Sequence, residues 1–259
     1  MNPCRIFAVV LRQLYLLRNS MTRVVPLFIW VALDIVVWGF ITRYLNAITG
    51  AGLNFVPLFL GAVLLWDFLV RVMQGVTMAF MEDSWSRNFL NMFASPLKIT
   101  EYLSGLVISS IGTSLVGLIV MLLLATWIFG LSFFAYGMML LPFLLVLFLS
   151  GIALGIVGSS IMLRFGPASE WFIWPIPAVV SPFVGVFYPV ATLPHWMQAI
   201  SRLLPPSYVF EGMRAIVAGH GVPPAALAIG FGLSLLYILL ACLLFARIHR
   251  YAVKTGLIA

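Results

Sequence analysis

Charge is what this sequence has least of. Among 259 residues there are 7 Asp and Glu and 14 Lys and Arg, so only 8% of side chains are charged. A water-soluble domain carries about a quarter. With 63% hydrophobic residues and a mean hydropathy of +1.15, the composition excludes a soluble domain and implies a polytopic membrane protein. Cysteine is nearly as scarce. Cys4 and Cys242 lie at opposite ends of the chain, the second inside an apolar run, which excludes a disulfide framework and leaves neither with a metal-ligand companion. The three histidines, His195, His220 and His249, are dispersed and make a poor metal set. No GxxxxGK[ST], HExxH, CxxC or GxSxG occurs, so P-loop nucleotide hydrolysis and the common hydrolytic chemistries are not expected of this chain, nor is a bound cofactor. No A-x-A-like site follows the first apolar stretch, so no cleavable signal peptide is expected.

What is present is long apolar runs with punctuation. Spans are expected at about 24–44, 55–81, 99–129, 136–163, 171–190 and 225–246, giving an all-α fold of about six transmembrane helices in a single transmembrane domain, 1–259. Before the first span, Arg5, Arg12 and Asn19 recur every seven residues. This narrow polar stripe predicts an interfacial helix over 3–20 with its arginines toward lipid phosphate. The fifth span carries Pro175, Pro177, Pro182 and Pro189 and should be short or broken. Glycines and hydroxyls at every fourth position, Gly105, Ser109, Thr113 and Gly117 on the third span and Gly151, Gly155 and Ser159 on the fourth, predict close packing of these two spans. Trp38, Tyr44, Trp127 and Tyr136 fall where an aromatic belt would lie.

Orientation follows from the basic residues. With the N-terminus inside, Arg5, Arg12, Arg18, Arg23, Arg87, Lys98, Arg164, Arg247, Arg250 and Lys254 are cytoplasmic, and only Arg43, Arg202 and Arg214 are external. This is a strong positive-inside bias, with both termini cytoplasmic. The net charge of +7 is therefore a topology signal, and no nucleic-acid partner is implied.

Three polar features remain. The stretch EDSWSRNFLNMFASPLK predicts a short cytoplasmic helix with Glu82 and Asp83 in its first turn, where the dipole favours anions. Its Trp85, Phe89, Met92 and Phe93 form one apolar face, suited to a soluble partner or to the bilayer surface. Asp34 in the first span, with Asp67 and Arg71 in the second, are expensive in lipid and should face protein or water. They could line a transport path, relay protons, or form an ion pair joining two helices. The third feature runs from Phe187 to Arg214. Leu193, Trp196, Met197, Ile200, Leu203 and Leu204 mark one face of a helix, which Pro205–Pro206 should stop. A second helix follows over 207–217 with Ser207, Glu211 and Arg214 as its polar stripe.

These features together resemble the ABC-2 type permeases, the membrane subunits of bacterial ABC exporters. The resemblance covers nearly the whole chain. It rests on the N-terminal amphipathic helix, six spans, a cytoplasmic helix ending in "SPL", and GVFYPVATLPHWMQAISRLLPPSYVFEGMR before the last span. It implies that the segment Glu82 to Phe93, with Glu82, Asp83, Trp85, Arg87, Phe89 and Phe93, is a coupling helix docking on an ATPase. It also implies that residues 193–217 form external helices dipping back into the membrane. Tyr188, Pro189, Pro194, Trp196, Pro205, Glu211 and Arg214 would then form an external gate. ATP and Mg belong on the partner. The implied assembly, in the bacterial cytoplasmic membrane, is two ATPase copies with a homodimer or a pair of related permeases. It would export a hydrophobic or amphipathic substrate, whether drug-like, lipid or glycolipid. One alternative is an ion-coupled secondary transporter using Asp34 and Asp67, although the inverted repeat common in such proteins is not evident. Another is a polysaccharide-exporting ABC permease. That branch has an Arg-rich, Leu-Gly-containing stretch, which VLRQLYLLRNSMTRVVPLF does not match well.

Overall fold

The computed structural model describes residues 1–18, 20–49, 56–86, 88, 92, 95–131 and 133–255. Every regular element among them is helical. Helix α1 (Pro3–Arg18) is followed by α2 (Met21–Thr49). A π-helical turn at Val56–Leu60 feeds α3 (Gly61–Trp85), and α4 is Ile99–Phe129. A 3₁₀ segment, Phe133–Met139, leads into α5 (Leu140–Phe165). Short helices α6 (Glu170–Ile173), α7 (Ile176–Val184) and α8 (His195–Ser201) precede α9 (Pro205–Val217) and the long α10 (Pro224–Lys254). Four described stretches are long and apolar enough to cross a membrane: Leu58–Trp85, Ile99–Phe129, Tyr136–Phe165 and Pro224–Lys254. The chain is an all-α polytopic membrane protein. Helix α2 covers the range expected of the first span. The expected fifth span is broken at Trp174–Pro175 and ends at Gly185, whose φ of 69° closes the helix in the left-handed region. The prolines account for the break: they remove backbone donors that a continuous helix needs.

Helix α3 is the axis of the bundle. It packs between α4 and α5, α10 runs along α5, and both α1 and α2 lie on α4. The small residues explain the approach. A Cβ on Gly151 would stand 2.8 Å from the Leu69 carbonyl oxygen, and one on Gly155 would stand 2.9 Å from that of Met73. On the other flank, Gly75 faces Ser110, whose hydroxyl donates to the Val72 carbonyl at 3.1 Å. Thr77 likewise donates to Gly155 O at 3.3 Å. Close backbone contact plus hydroxyl bonds between helices is how spans associate when lipid removes the hydrophobic driving force. The two small-residue stripes therefore do pack helices, but against α3 and α1 rather than against each other. Gly105 admits Val9 of α1, at 2.6 Å from the missing Cβ.

Three local expectations are corrected. Helix α3 runs through Trp85, so Glu82 and Asp83 occupy its last turn instead of the first turn of a separate helix. Pro205 and Pro206 begin α9 rather than ending α8, which already stops at Ser201; the first helical turn has no use for the N–H that proline lacks. Tyr136 is 2% exposed and fills the notch at Gly61, so it is a core residue and not part of an aromatic belt. Trp127, by contrast, is 89% exposed. The six exposed leucines of α10 between Leu235 and Leu244 give it an apolar outer face suited to hydrocarbon.

Candidate functional site

At the Glu82 end of α3, two buried carboxylates hold α1 in place. Asp83 is 2% exposed and accepts both guanidinium nitrogens of Arg12, one at 2.8 Å. It also accepts the Tyr102 hydroxyl of α4 at 2.7 Å. Glu101 receives the Asn2 backbone N–H at 2.7 Å and the Arg5 guanidinium at 3.5 Å, and the Lys98 N–H at 3.1 Å closes its own helix. Hydrogen bonding to Asp83 holds the Arg12 pKa above the ordinary arginine value. Arg5 and Arg12 thus turn inward to carboxylates, not outward to lipid phosphate. The cause is local: a carboxylate in the last turn of α3 sits at the negative end of the helix dipole, and a guanidinium beside it offsets both charges. Asn19, the third member of the stripe, lies outside the described residues.

A cavity of about 530 Å³ opens beside this clamp. One face of α3 lines it along Asp67, Arg71, Gln74, Met78 and Glu82, facing Ser109, Ser110 and Thr113 of α4. Asp34 and Trp30 of α2, Gln13 of α1 and Trp174 after α6 complete the wall. From Asp67 to Glu82 the lining spans about 22 Å of helix. Asp34, Asp67 and Arg71 are therefore brought together around one space, as their positions in adjacent spans require. The Arg71 side chain lies across Gly117, where a Cβ would stand 2.5 Å from its Cδ. The Oδ2 of Asp67 is buried and has no hydrogen-bond partner among the described residues.

The opposite end of the bundle is plugged. Helix α9 buries Val209, Phe210 and Met213 completely, wedged against α5, α10 and the turn before α3. Phe210 meets Trp66 of α3 at 6.2 Å between rings, and Phe143 fills the notch at Gly212. On its outer side, Arg214 and Glu211 pair at 2.8 Å. Glu211 also accepts the Val190 N–H at 2.7 Å, and Arg214 donates to Val186 O at 3.4 Å. The pair thereby fastens the 186–190 segment to α9. Phe187 in that segment stacks on Trp38 of α2 at 4.8 Å. Tyr188 donates to Pro182 O at 2.8 Å, Pro189 precedes the turn Val190–Thr192, and Pro194 caps α8. Helix α8 differs from its neighbour: Trp196 is 62% and Ile200 38% exposed, so of the two amphipathic helices only α9 buries its apolar face in the bundle.

The ABC-2 type transporter family model matches residues 6–218, from the first turn of α1 to just past the end of α9. The chain belongs to the ABC-2 type transporter family. Permeases of this family are membrane subunits without catalytic activity of their own and work with an ABC ATPase partner. No match is found among curated proteins.

Within this permease, the segment expected to couple to the ATPase is divided. Trp85 is 45% exposed and available to a partner. Asp83 is committed to Arg12 and Tyr102, and Glu82 faces the cavity. Arg87, Phe89 and Phe93 lie outside the described residues. Backbone bonds run from Asn88 N to Asp83 O and from Met92 N to Asn88 O, each 3.0 Å. Sequence reasoning passed over Gln74, Tyr102 and Glu101. Gln74 was legible, standing three residues after Arg71 and seven after Asp67 on one helical face. Tyr102 and Glu101 open an apolar span and carry no local signal of their partners.

Proposed function

We propose that this permease is half of the membrane part of an ATP-driven exporter in a bacterial cytoplasmic membrane, working as a homodimer or with a related permease on two ATPase chains. The observation that carries the reading is the polarity of the bundle. A cavity of mixed lining that holds the buried charged residues lies along α3 toward the Glu82 end, and an apolar plug, α9, fills the other end. By the positive-inside bias the cavity end is cytoplasmic, so the arrangement is that of an inward-facing state closed outside. The segment from Glu82 to Phe93 docks on the ATPase with Trp85 exposed toward it, while Asp83 positions the segment from within. ATP-driven closure of the ATPases moves this segment and with it the last turn of α3, and the Arg12–Asp83–Tyr102 contact is the pivot at which α1 and α4 meet that turn. On the outer side, displacement of α9 with the 186–190 segment, held by Glu211 and Arg214, opens the exit. The mixed polar and apolar lining favours an amphipathic cargo over a purely hydrophobic one.

The test is reconstitution. The chain and an ABC ATPase from the same genome are placed in proteoliposomes, and ATP-dependent movement of a fluorescent amphiphile is followed with and without Trp85→Ala. Stimulated ATP turnover that falls with Trp85→Ala supports the reading. Transport by the chain alone, without any ATPase, overturns it.

A further inference from the structure

We propose that the cavity beside α3 binds an amphipathic organic cation, an inference resting on the exporter reading above and narrowing its substrate class. Among the described residues its wall within the spans carries two carboxylates, Asp34 and Asp67, against one guanidinium, Arg71. The excess of negative charge lies where lipid and protein shield it least from a ligand, so a cation gains and an anion loses. Asp67 supplies a second, independent observation. Its Oδ2 is buried without a hydrogen-bond partner among the described residues, while its carboxylate lines the cavity. Buried carboxylate oxygens are almost always hydrogen-bonded, so this one points to a donor or positive charge brought by a ligand. The volume, about 530 Å³, suits a drug-sized molecule and far exceeds what a bare metal ion or a proton relay requires. Trp30 and Trp174 border it, 68% and 45% exposed. Indole faces hold ammonium and phosphonium groups by cation–π attraction while covering their apolar substituents. Charge, size and aromatic walls agree on a bulky organic cation with apolar arms.

The test uses two ions of matched shape and opposite charge, tetraphenylphosphonium and tetraphenylborate. Binding to the full chain with its ATPase in lipid nanodiscs is measured by equilibrium dialysis, with empty nanodiscs subtracted. Saturable binding of the phosphonium, about one per chain, with no saturable binding of the borate, is expected. Asp67→Asn should weaken it at least about tenfold, Asp67→Glu should restore most of it, and Trp174→Leu should weaken it about three- to tenfold. Equal saturable binding of both ions, or no saturable phosphonium binding, overturns the proposal. So does an Asp67→Asn chain that stays monodisperse and binds as tightly as the parent. Should Asp67→Asn not fold, the matched-ion comparison on the unaltered chain and the Trp174→Leu titration still decide. ATP turnover is recorded on the same samples. An ATPase that is recruited and stimulated beside a cavity that ignores the phosphonium refutes the cation and spares the exporter. Phosphonium binding without ATPase recruitment refutes the exporter and spares the cation site.

Discussion

Replacing Asp83 should release α1. The carboxylate is 2% exposed, and its partner Arg12 is 30% exposed, so the pair is sheltered on one side and wetted on the other. Removing one member of a fully buried pair costs about 3–5 kcal/mol. Leaving a buried hydroxyl without its acceptor, here Tyr102, costs about 1–3 kcal/mol. Because Arg12 can turn to water, the pair cost falls below the fully buried range, to about 2 kcal/mol, and with about 1 kcal/mol for Tyr102 Asp83→Ala should weaken α1 docking by about 3 kcal/mol. Asp83→Asn keeps an acceptor for Tyr102 and should cost about 2 kcal/mol, roughly a thirtyfold rise in the undocked population. Val9 reports this directly, since it is 4% exposed against Gly105. In a chain with Cys4 and Cys242 replaced by serine, a cysteine at position 9 should react with a water-soluble maleimide about thirtyfold faster when Asp83→Asn is added. Arg12→Leu combined with Asp83→Leu should react more slowly than either single change, because neither charge is then stranded. Equal reactivity with and without Asp83 would refute the clamp.

Other expectations follow from the same contacts. Gly151→Ala presses on a backbone carbonyl that cannot yield and should lower stability by about 1–3 kcal/mol. Gly112→Ala has nothing within 4 Å of the new Cβ and should be neutral or stabilising by about 0.5–1 kcal/mol; thermal unfolding in detergent compares them. Phe210→Ala, at a fully buried site, should cost about 3–5 kcal/mol and raise ATP-independent leakage of small solutes from proteoliposomes. Glu211→Gln breaks a pair whose carboxylate side is 45% exposed, so its effect on stability should stay below about 1 kcal/mol, while proteolysis within 186–194 should quicken. The Arg12 pKa is raised above the ordinary arginine value by its bond to Asp83, so its contribution is full throughout the neutral and mildly alkaline range and would be lost only as pH rises through that raised pKa. Docking of α1, read by hydrogen exchange corrected for intrinsic rates, should not change between about pH 7 and about pH 10.

Periodicity made some of this legible in advance. Seven-residue spacing marked α1, proline density marked the break between α6 and α7, and the rarity of charge made Asp34, Asp67 and Arg71 conspicuous within long apolar runs. Each of these is a local signal. What escaped depends on distant partners. Arg12 looks from its own helix like a lipid-facing residue, and only the Asp83 carboxylate, 71 positions later, turns it inward. Glu82 and Asp83 look like the start of a helix because acidic residues favour first turns. The same two residues at the end of α3 are tolerated because Arg12 offsets Asp83. Tyr136 sits where a belt tyrosine would, yet the notch at Gly61 is the tighter home for its ring. The small stripes showed that helices would approach closely, but each glycine is silent about its partner until α3 is placed between α4 and α5.

The geometry also ties the two ends of the permease to one element. Helix α3 carries Trp66 against the plug, Asp67 and Arg71 in the cavity, and Asp83 in the clamp, all on a single continuous helix. Its fixed rise makes it poorly suited to transmitting motion by bending, so displacement of its last turn by a docked partner would shift or tilt it as a rigid body. The neighbours that must yield differ in how firmly they hold it. Against α5 the backbones touch at Gly151 and Gly155, an interface with little room to slide. Against α4 the contact is made through side chains, the Ser110 hydroxyl on Val72 O and Tyr102 on Asp83, and is interrupted by the cavity and by the flexible stem of Arg71 across Gly117. Motion should therefore concentrate at the α3–α4 side, where the cavity lies, with α3, α5 and α10 moving as one body. A disulfide joining α3 to α5 should leave ATP-driven transport intact, while one joining α3 to α4 across the cavity should stop it. The opposite pattern would place the moving interface on the wrong side of α3.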